Sequence, residues 1–352
     1  MYITHLRIEN FRNLEVVEFQ PELGLNYFYG ENGAGKTSLL EALFLLSRGK
    51  SFRTTSSIEL IRYQAENFRV FLEARDGEET LRLGLERSKK NWRARKDGQD
   101  VVLLSELSRA LPIVLMEPNS HALVSGSPEG RRRYLDWGVF HVEPLFLDAW
   151  RQYSRGLKQR NAALRWGQAA VIDSLDEIIA PLGEQLSAYR QRYFEDLTAE
   201  FSRQLDSDHA GLQDIGLRFH KGWKTDSLAE ALQSGRERDL DQGLSQDGPH
   251  RADVLLERNG RPVKSTLSRG EQKNVAACLL LSQAELLKRS GQDPVILLDD
   301  LASEFDQRHF REVLQKALSC ASQVWITGVQ ANGLEGNPAV FHVEHGNILK
   351  VV

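Results

Sequence analysis

Residues 30–38 read GENGAGKTS, which satisfies the pattern G-x-x-x-x-G-K-[ST]. Gly30, Gly33 and Gly35 let backbone N–H groups converge on phosphate oxygens with no Cβ in the way. Lys36 adds a point charge for the terminal phosphates and Thr37 a hydroxyl for Mg2+. The helix that follows turns its positive end toward the same place. Glu31, Asn32, Ala34 and Ser38 complete the expected ring of contacts. Such a loop works only between a buried strand and a helix. The apolar run LNYFY before it and the helical stretch Lys36–Leu46 after it supply both.

A second feature fits the first. VILLDD at 295–300 is an apolar strand ending in two carboxylates. A buried parallel strand delivers its last residues to the carboxyl edge of a sheet, where ligands of open α/β folds bind. There Asp299 is expected to hold Mg2+ and Asp300 to polarise a water. DDLASEFD also contains good helix caps, and a strand running into a capped helix is the plainer alternative.

Composition sets the limits. The chain has 352 residues, 41% hydrophobic and 27% charged, enough for two lobes with real cores. Its formal charge of −4 excludes attraction of the whole chain to nucleic acid, so any DNA binding must use local basic patches. Cys278 and Cys320 show no metal-ligand spacing and read as buried thiols of a reducing compartment. No apolar run approaches the roughly 20 residues that span a bilayer, and MYITHLRIENF lacks a secretory core. A soluble cytoplasmic protein with no membrane partner is expected.

The pattern along the chain is mixed. YITHLRIENF, LEVVEFQ and LNYFYG read as strands. RVFLEARDG, ETLRLGLER and NWRARKDGQDVV alternate and turn at Asp76-Gly77 and Asp97-Gly98, so an antiparallel subsheet is expected. LPIVLMEP is a buried strand. Phe146, Trp150, Tyr153, Leu157, Arg160 and Leu164 step by four and three. So do Ile172, Leu175, Ile179, Leu182, Leu186, Tyr189 and Tyr193. Two helices packed side by side follow, with WGQ at 166–168 as the turn. Pro181 and Gly183 are expected to kink or interrupt the second helix. DSDHAGLQDIG and LQSGRERDLDQGLSQDG read as loops around a strand, GLRFHKG. The strand–helix pattern then resumes: a helix from Ser268, VILLDD, a helix Gln307–Leu318, QVWITG, and a strand pair near AVFHVEHGNILKVV.

LSRGEQK at 267–273 begins a helix with a serine N-cap and a flexible Gly270, a second anion-attracting helix start in a chain that already has a phosphate loop. The segment resembles the LSGGQ-like signature of ABC and SMC ATPases. In that class it caps, in trans, the nucleotide held by a partner subunit. SEFD at 303–306 resembles the loop that follows the acids there, and Thr327 in WITG falls at the switch position.

The likeness narrows to the RecF family. GKSFRT at 49–54, VSGSPEGRRRYLD at 124–136, GPHRAD at 248–253 and HLRIENFRNL near the start resemble its motifs, over essentially the full length. Asn119, Phe305 and Glu271 depart from its usual pattern. The resemblance implies an α/β ABC/SMC-like P-loop ATPase head with a mixed sheet, an antiparallel β-subdomain and an inserted helical lobe. Residues 1–125 and 247–352 would form the head and 126–246 the helical lobe. It implies ATP and Mg2+ as cofactors, bound by residues 30–38 and by Thr37 with Asp299. Lys36 and Asp300 would be catalytic. Ser268, Arg269 and Gly270 would reach the ATP of a second copy, and Ser303, Asp306 and Thr327 would form the switch and interface. It further implies an ATP-dependent homodimer that binds single-strand/duplex junctions or gaps, works with RecR and RecO, and turns over slowly. A transporter's ATPase subunit and an SMC-like scaffold with slow hydrolysis are the rival readings. Arg53, Arg131, Arg132, Arg133 and Arg251 are candidates for DNA phosphates or for interlobe carboxylate pairs. Lys158, Arg160, Arg165, Arg190 and Arg192 are scattered and read as ordinary surface.

Overall fold

In the computed structural model, residues 1–208, 211–330, 334 and 337–351 are described. The chain runs β1 (Tyr2–Phe11), β2 (Leu14–Phe19), β3 (Gly24–Tyr29), α1 (Lys36–Arg48), β4 (Asn67–Asp76), β5 (Glu79–Ser88), β6 (Trp92–Lys96), β7 (Gln99–Val101), α2 (Leu104–Ala110) and β8 (Ile113–Met116). It continues with α3 (Ala122–Ser125), α4 (Pro128–Val142), α5 (Phe146–Arg165), α6 (Ala169–Asp208), β9 (Ile215–His220), α7 (Leu228–Ser234), α8 (Arg236–Gln242), β10 (Asp253–Arg258) and β11 (Arg261–Pro262). The last elements are α9 (Arg269–Arg289), β12 (Val295–Leu298), α10 (Leu301–Glu304), α11 (Gln307–Cys320), β13 (Gln323–Gly328), β14 (Ala339–Glu344) and β15 (Asn347–Lys350).

Two compact units result, Met1–Ser120 with Leu279–Val352, and His121–Cys278. The second extends past residue 246, the expected end of the helical lobe. Strand β10 pairs with β9, so the GPHRAD segment and the start of α9 belong to this unit.

The first unit holds two six-stranded sheets. One is antiparallel, in the order β2-β1-β4-β5-β6-β7, and both expected Asp-Gly turns close its hairpins. Asp97 and Gly98 both take positive φ, 49° and 82°, which suits the twist of a two-residue hairpin. The other sheet, β15-β14-β3-β13-β12-β8, is parallel from β14 to β8 and carries β15 as an antiparallel edge. Its central strands are buried on both faces, so they read as continuous apolar runs rather than alternating ones. Helix α1 is buried nearly all round and packs against strands of both sheets. Phe28 stacks on Trp325 and Phe341, with Phe19 tilted against all three. Fully buried Gln323 bonds the backbone of Ile3 and Glu22, so the first strand is tied to the parallel sheet.

The second unit is built on the α5/α6 hairpin. Buried positions 146, 149, 153, 156, 160 and 163 of α5 alternate in steps of three and four, as a paired helix requires. At Gly156 a Cβ would lie 2.4 Å from Ile179 Cγ2, so a side chain there would push the helices apart. Two expectations are corrected here. Helix α6 runs unbroken through Pro181 for 40 residues. Gly183 serves packing: a Cβ would meet Leu228 Cδ2 at 2.3 Å and Pro249 Cδ at 3.2 Å. The segment LQSGRERDLDQG forms α7 and α8 rather than a loop. Ser227 caps α7 by accepting from Glu230 N–H, and Gly243 closes α8 in a left-handed turn. In DSDHAGLQDIG the first residues extend α6, and positions 209 and 210 lie outside the described residues.

Two arginines expected at the surface, Arg160 and Arg190, are core residues of this unit, while Lys158, Arg165 and Arg192 are exposed as expected. Arg160 is wholly buried and bonds Asp176 (2.5 Å), Asp239 (2.7 Å) and Ser245 (2.8 Å). Arg190 holds Asp136 with both Nε and Nη2 and bonds the Pro249 carbonyl. Arg160 takes a position of the apolar repeat because its charge is met on three sides, which is the condition for burying a guanidinium. Cys278 and Cys320 are buried free thiols, as expected.

Replacing Arg160 by Ala should cost about 3–5 kcal/mol, since it leaves Asp239 buried without its cation; urea unfolding measures this. His250 Nε2–H donates to the Ser245 carbonyl (3.0 Å), which leaves Nδ1 of the neutral ring to accept from Tyr153 Oη (2.8 Å), and burial lowers its pKa to about 4. The folded chain therefore keeps this ring neutral where the unfolded chain protonates it. Its contribution is complete above about pH 6.5 and is lost as pH falls toward 4. A His250→Gln variant should show a shallower fall of Tm across that window than the unaltered chain.

Candidate functional site

The parallel sheet gathers the site by register alone. Leu298 pairs with Ile326 on one side and Met116 on the other, and Ile326 pairs with Tyr27. The next residues along each strand, Asp299, Thr327 and Glu117, therefore come out at one carboxyl edge. The loop after β3 opens there as well.

Asp299 is the hub. Its Oδ1 accepts from Thr37 Oγ1 at 3.0 Å and from Thr327 Oγ1 at 2.9 Å, and the residue is only 5% exposed. Burial raises its pKa, the two hydroxyls oppose the rise, and Asp300 adds to it. Thr327 Oγ1 also accepts from the Asp300 N–H at 2.8 Å. Asp300 has φ 49° and stands at the start of α10. Ser303 Oγ lies 2.9 Å from its Oδ2 and 2.8 Å from its carbonyl. The hydroxyl and carboxylate oxygens of Thr37 and Asp299 are the hard donor set that Mg2+ prefers.

The glycines do what a phosphate loop requires. At Gly33 φ is 83°, and a Cβ at Gly30 would lie 2.1 Å from the Val343 carbonyl oxygen. Lys36 Nζ donates to the carbonyls of Gly30 (2.7 Å) and Glu31 (2.8 Å). Burial lowers its pKa, against the pull of Asp300 and Asp299. A cavity of about 560 Å3 lies over the loop, lined among others by Asn32, Lys36, Thr37, Arg53, Tyr63 and Asp300.

Four contributors were not found by sequence reading. Asn13, in the β1–β2 turn, donates to the Gly33 carbonyl (3.0 Å) and accepts from Ser38 Oγ (2.9 Å), bracing the middle of the loop against the first turn of α1. Glu41, one turn beyond Thr37, is fully buried. Arg12 holds it through Nη2 (2.7 Å) and Nε (3.0 Å), Ser51 Oγ lies at 2.5 Å and Arg53 Nη1 at 3.5 Å. In GKSFRT the Ser51 hydroxyl is thus hydrogen-bonded to α1, and Arg53 makes a looser, half-exposed ion pair with the same carboxylate. Glu117 ends β8 beside Asp299. Burial and then Asp299 push its pKa up to about 7, with Arg53 pulling the other way. A signal for Glu117 was present, since LPIVLME is an apolar strand ending in an acid, as VILLDD is.

Other expected residues lie elsewhere. Ser268, Arg269 and Gly270 belong to the second unit. Ser268 Oγ accepts from Glu271 N–H (3.3 Å) while Glu271 Oε2 accepts from Ser268 N–H (2.8 Å), a capping box that explains the glutamate. Nothing lies within 4 Å of a Cβ built on Gly270. Asp306 caps α11, accepting from the N–H groups of Arg308 and His309. Of the arginines read as DNA or interlobe contacts, Arg131 makes a two-pronged pair with Asp253 (2.8 and 2.9 Å) and Arg132 bonds the Ala252 carbonyl (2.8 Å). Arg251 bonds the Ser245 carbonyl and Gln246, and Arg133 is an exposed partner of Glu129. Arg131 with Asp253 and Arg132 with the Ala252 carbonyl are contacts within one unit, so neither is an interlobe carboxylate pair.

Fold and site together define a phosphate-loop nucleotide-binding head with an acidic strand at its sheet edge. Residues 2–348 match the RecF/RecN/SMC N terminal domain family. The chain is 45% identical over 363 residues to DNA replication and repair protein RecF of Xanthomonas axonopodis pv. citri (strain 306), covering 99% of each. It is 37% identical over 357 residues to that of Thioalkalivibrio sulfidiphilus (strain HL-EbGR7), again covering 99% of each. A solved structure of the recombination mediator protein RecF with ATP, in the RecFOR pathway, superposes with a TM-score of 0.90 at 27% identity, covering 100% of this chain and 98% of that one. An SMC head bound to the C-terminal winged-helix domain of ScpA shares the fold, with a TM-score of 0.59 at 15% identity. The chain belongs to the RecF family of DNA replication and repair proteins.

Among the described residues no helix is long and apolar enough to cross a membrane. If Asn13 braces the loop, Asn13→Ala should weaken triphosphate binding about tenfold through the removal of two hydrogen bonds, read by titration with a fluorescent nucleotide.

Proposed function

We propose that the chain is an ATP-switched DNA-binding protein of recombinational repair and replication restart. Two copies would pair across two ATP molecules. The observation that carries this is the convergence of Lys36, Thr37, Asp299 and Thr327 at one sheet edge, in a chain that superposes on a RecF structure containing ATP.

In this reading the backbone of residues 30–38 and Lys36 bind the phosphates of one ATP. Lys36 exchanges its two carbonyl partners for phosphate oxygens. Thr37 and Asp299 would hold Mg2+, which supplies charge neutralisation at the terminal phosphates. Thr327 keeps Asp299 oriented. Asp300 orients the attacking water and accepts its proton, with Ser303 holding the carboxylate in place. An aspartate here is a methylene shorter than the glutamate usual in the ABC class, so slow turnover is expected.

Ser268, Arg269 and Gly270 of the second copy would close over the terminal phosphate. A ligand that binds only the paired form stabilises it by mass action, which couples ATP to pairing. DNA gaps or single-strand/duplex junctions are the proposed target. RecR and RecO are the proposed partners, on the strength of the relative in the RecFOR pathway, and the cytoplasm is the proposed site of action.

The test is sizing by light scattering in ATP, ADP and no nucleotide. Pairing should appear in ATP alone. Ser268→Arg should abolish pairing and spare ATP uptake, and Lys36→Arg should suppress turnover. Glu271→Gln keeps the capping hydrogen bonds and removes a negative charge from the helix start, so it should tighten pairing several-fold. Pairing of Ser268→Arg at wild-type ATP concentrations would refute the shared site.

A further inference from the structure

The antiparallel sheet of the first unit has two electrostatic characters. On its outer face the charges alternate across strands and cancel. Arg69 meets Glu9 and Glu86, Arg82 meets Glu73, and Arg93 and Arg95 share Asp100. The tip of the β5–β6 hairpin differs. Arg87, Lys89 and Lys90 gather there, and none has a carboxylate partner among the described residues. Trp92 stands directly across from Arg87 in the strand register and is 38% exposed. Leu85 and Ala94, the preceding pair on that same face, are buried, so Arg87 and Trp92 continue the inner face beyond the core.

The turn that carries the lysines is ordered by its own hydrogen bonds. Ser88 N–H donates to the Asn91 carbonyl at 2.8 Å, and Ser88 Oγ accepts from Asn91 N–H at 3.1 Å. Three cations and an aromatic face are thus presented together on a structured support. An exposed indole among unpaired cations is the arrangement that stacks an unpaired base while its flanking phosphates are neutralised. A duplex offers phosphates but no free base face.

We infer that this hairpin tip is a contact site for single-stranded nucleic acid, with a base on Trp92 and phosphates on Arg87, Lys89 and Lys90. This rests on the DNA-binding reading above and assigns it a surface that the nucleotide site does not provide. An acidic protein surface is the competing occupant and would leave DNA affinity untouched by changes here.

The test uses the full chain with a fluorescent oligothymidine and with a blunt duplex, titrated across salt in ATP and Mg2+. The double variant Lys89→Ala/Lys90→Ala should lower the log–log salt slope on the single strand by about 1.4, or about 0.7 for each phosphate left without its lysine. Trp92→Ala should weaken single-strand binding about 5- to 100-fold, leave the blunt duplex unaffected, and be largely rescued by Trp92→Phe. Lys96→Ala, at the far end of β6, should change neither. Wild-type binding with unaltered affinity and slope in both the double variant and Trp92→Ala overturns the tip assignment alone. Absence of DNA binding by the wild-type chain overturns it together with the DNA-binding reading.

Discussion

One carboxylate oxygen organises the nucleotide head. Asp299 Oδ1 accepts from both Thr37 and Thr327, and so joins the start of α1, the end of β12 and the end of β13 at a single buried point. Its position follows from strand register: neighbouring parallel strands in step must end side by side. Its burial is tolerable because two hydroxyls satisfy the charge that the low-dielectric edge would otherwise penalise. The phosphate loop, the aspartate at 300 and the threonine at 327 are all oriented with respect to that atom.

The same logic of caged charge recurs away from the nucleotide. Glu41 is enclosed by Arg12, Ser51 and Arg53, Arg160 by two aspartates and a serine, and Arg131 by Asp253. The first two tie a loop to helices, and the third ties helix α4 to strand β10. Motifs such as GKSFRT and GPHRAD therefore hold conformation through paired ions, and only some of their charges remain available to a ligand.

Much of this was legible in the sequence, and the rest was hidden for physical reasons. The strands around the loop, both Asp-Gly turns and the helical hairpin follow from periodicity and turn chemistry. Pro181 misled because its neighbours in a 40-residue helix carry the backbone past one missing N–H. Arg160 misled because a charge in an apolar repeat is usually at the surface, and its partners Asp239 and Ser245 lie far away in sequence. Helices α7 and α8 were missed because each is only seven residues long and much of their sequence is polar or charged. Asn13 and Glu41 reach the site through long-range packing, which leaves no local trace.

The closed first turn of α9 has a further consequence. Ser268 and Glu271 satisfy one another's backbone groups, so this turn exists before anything arrives. An anion meeting it would trade places with a resident oxygen instead of organising a slack chain. The entropy of ordering is thereby removed from the encounter, and what remains is a competition between two acceptors for the same donors. A competition of that kind favours the more highly charged visitor.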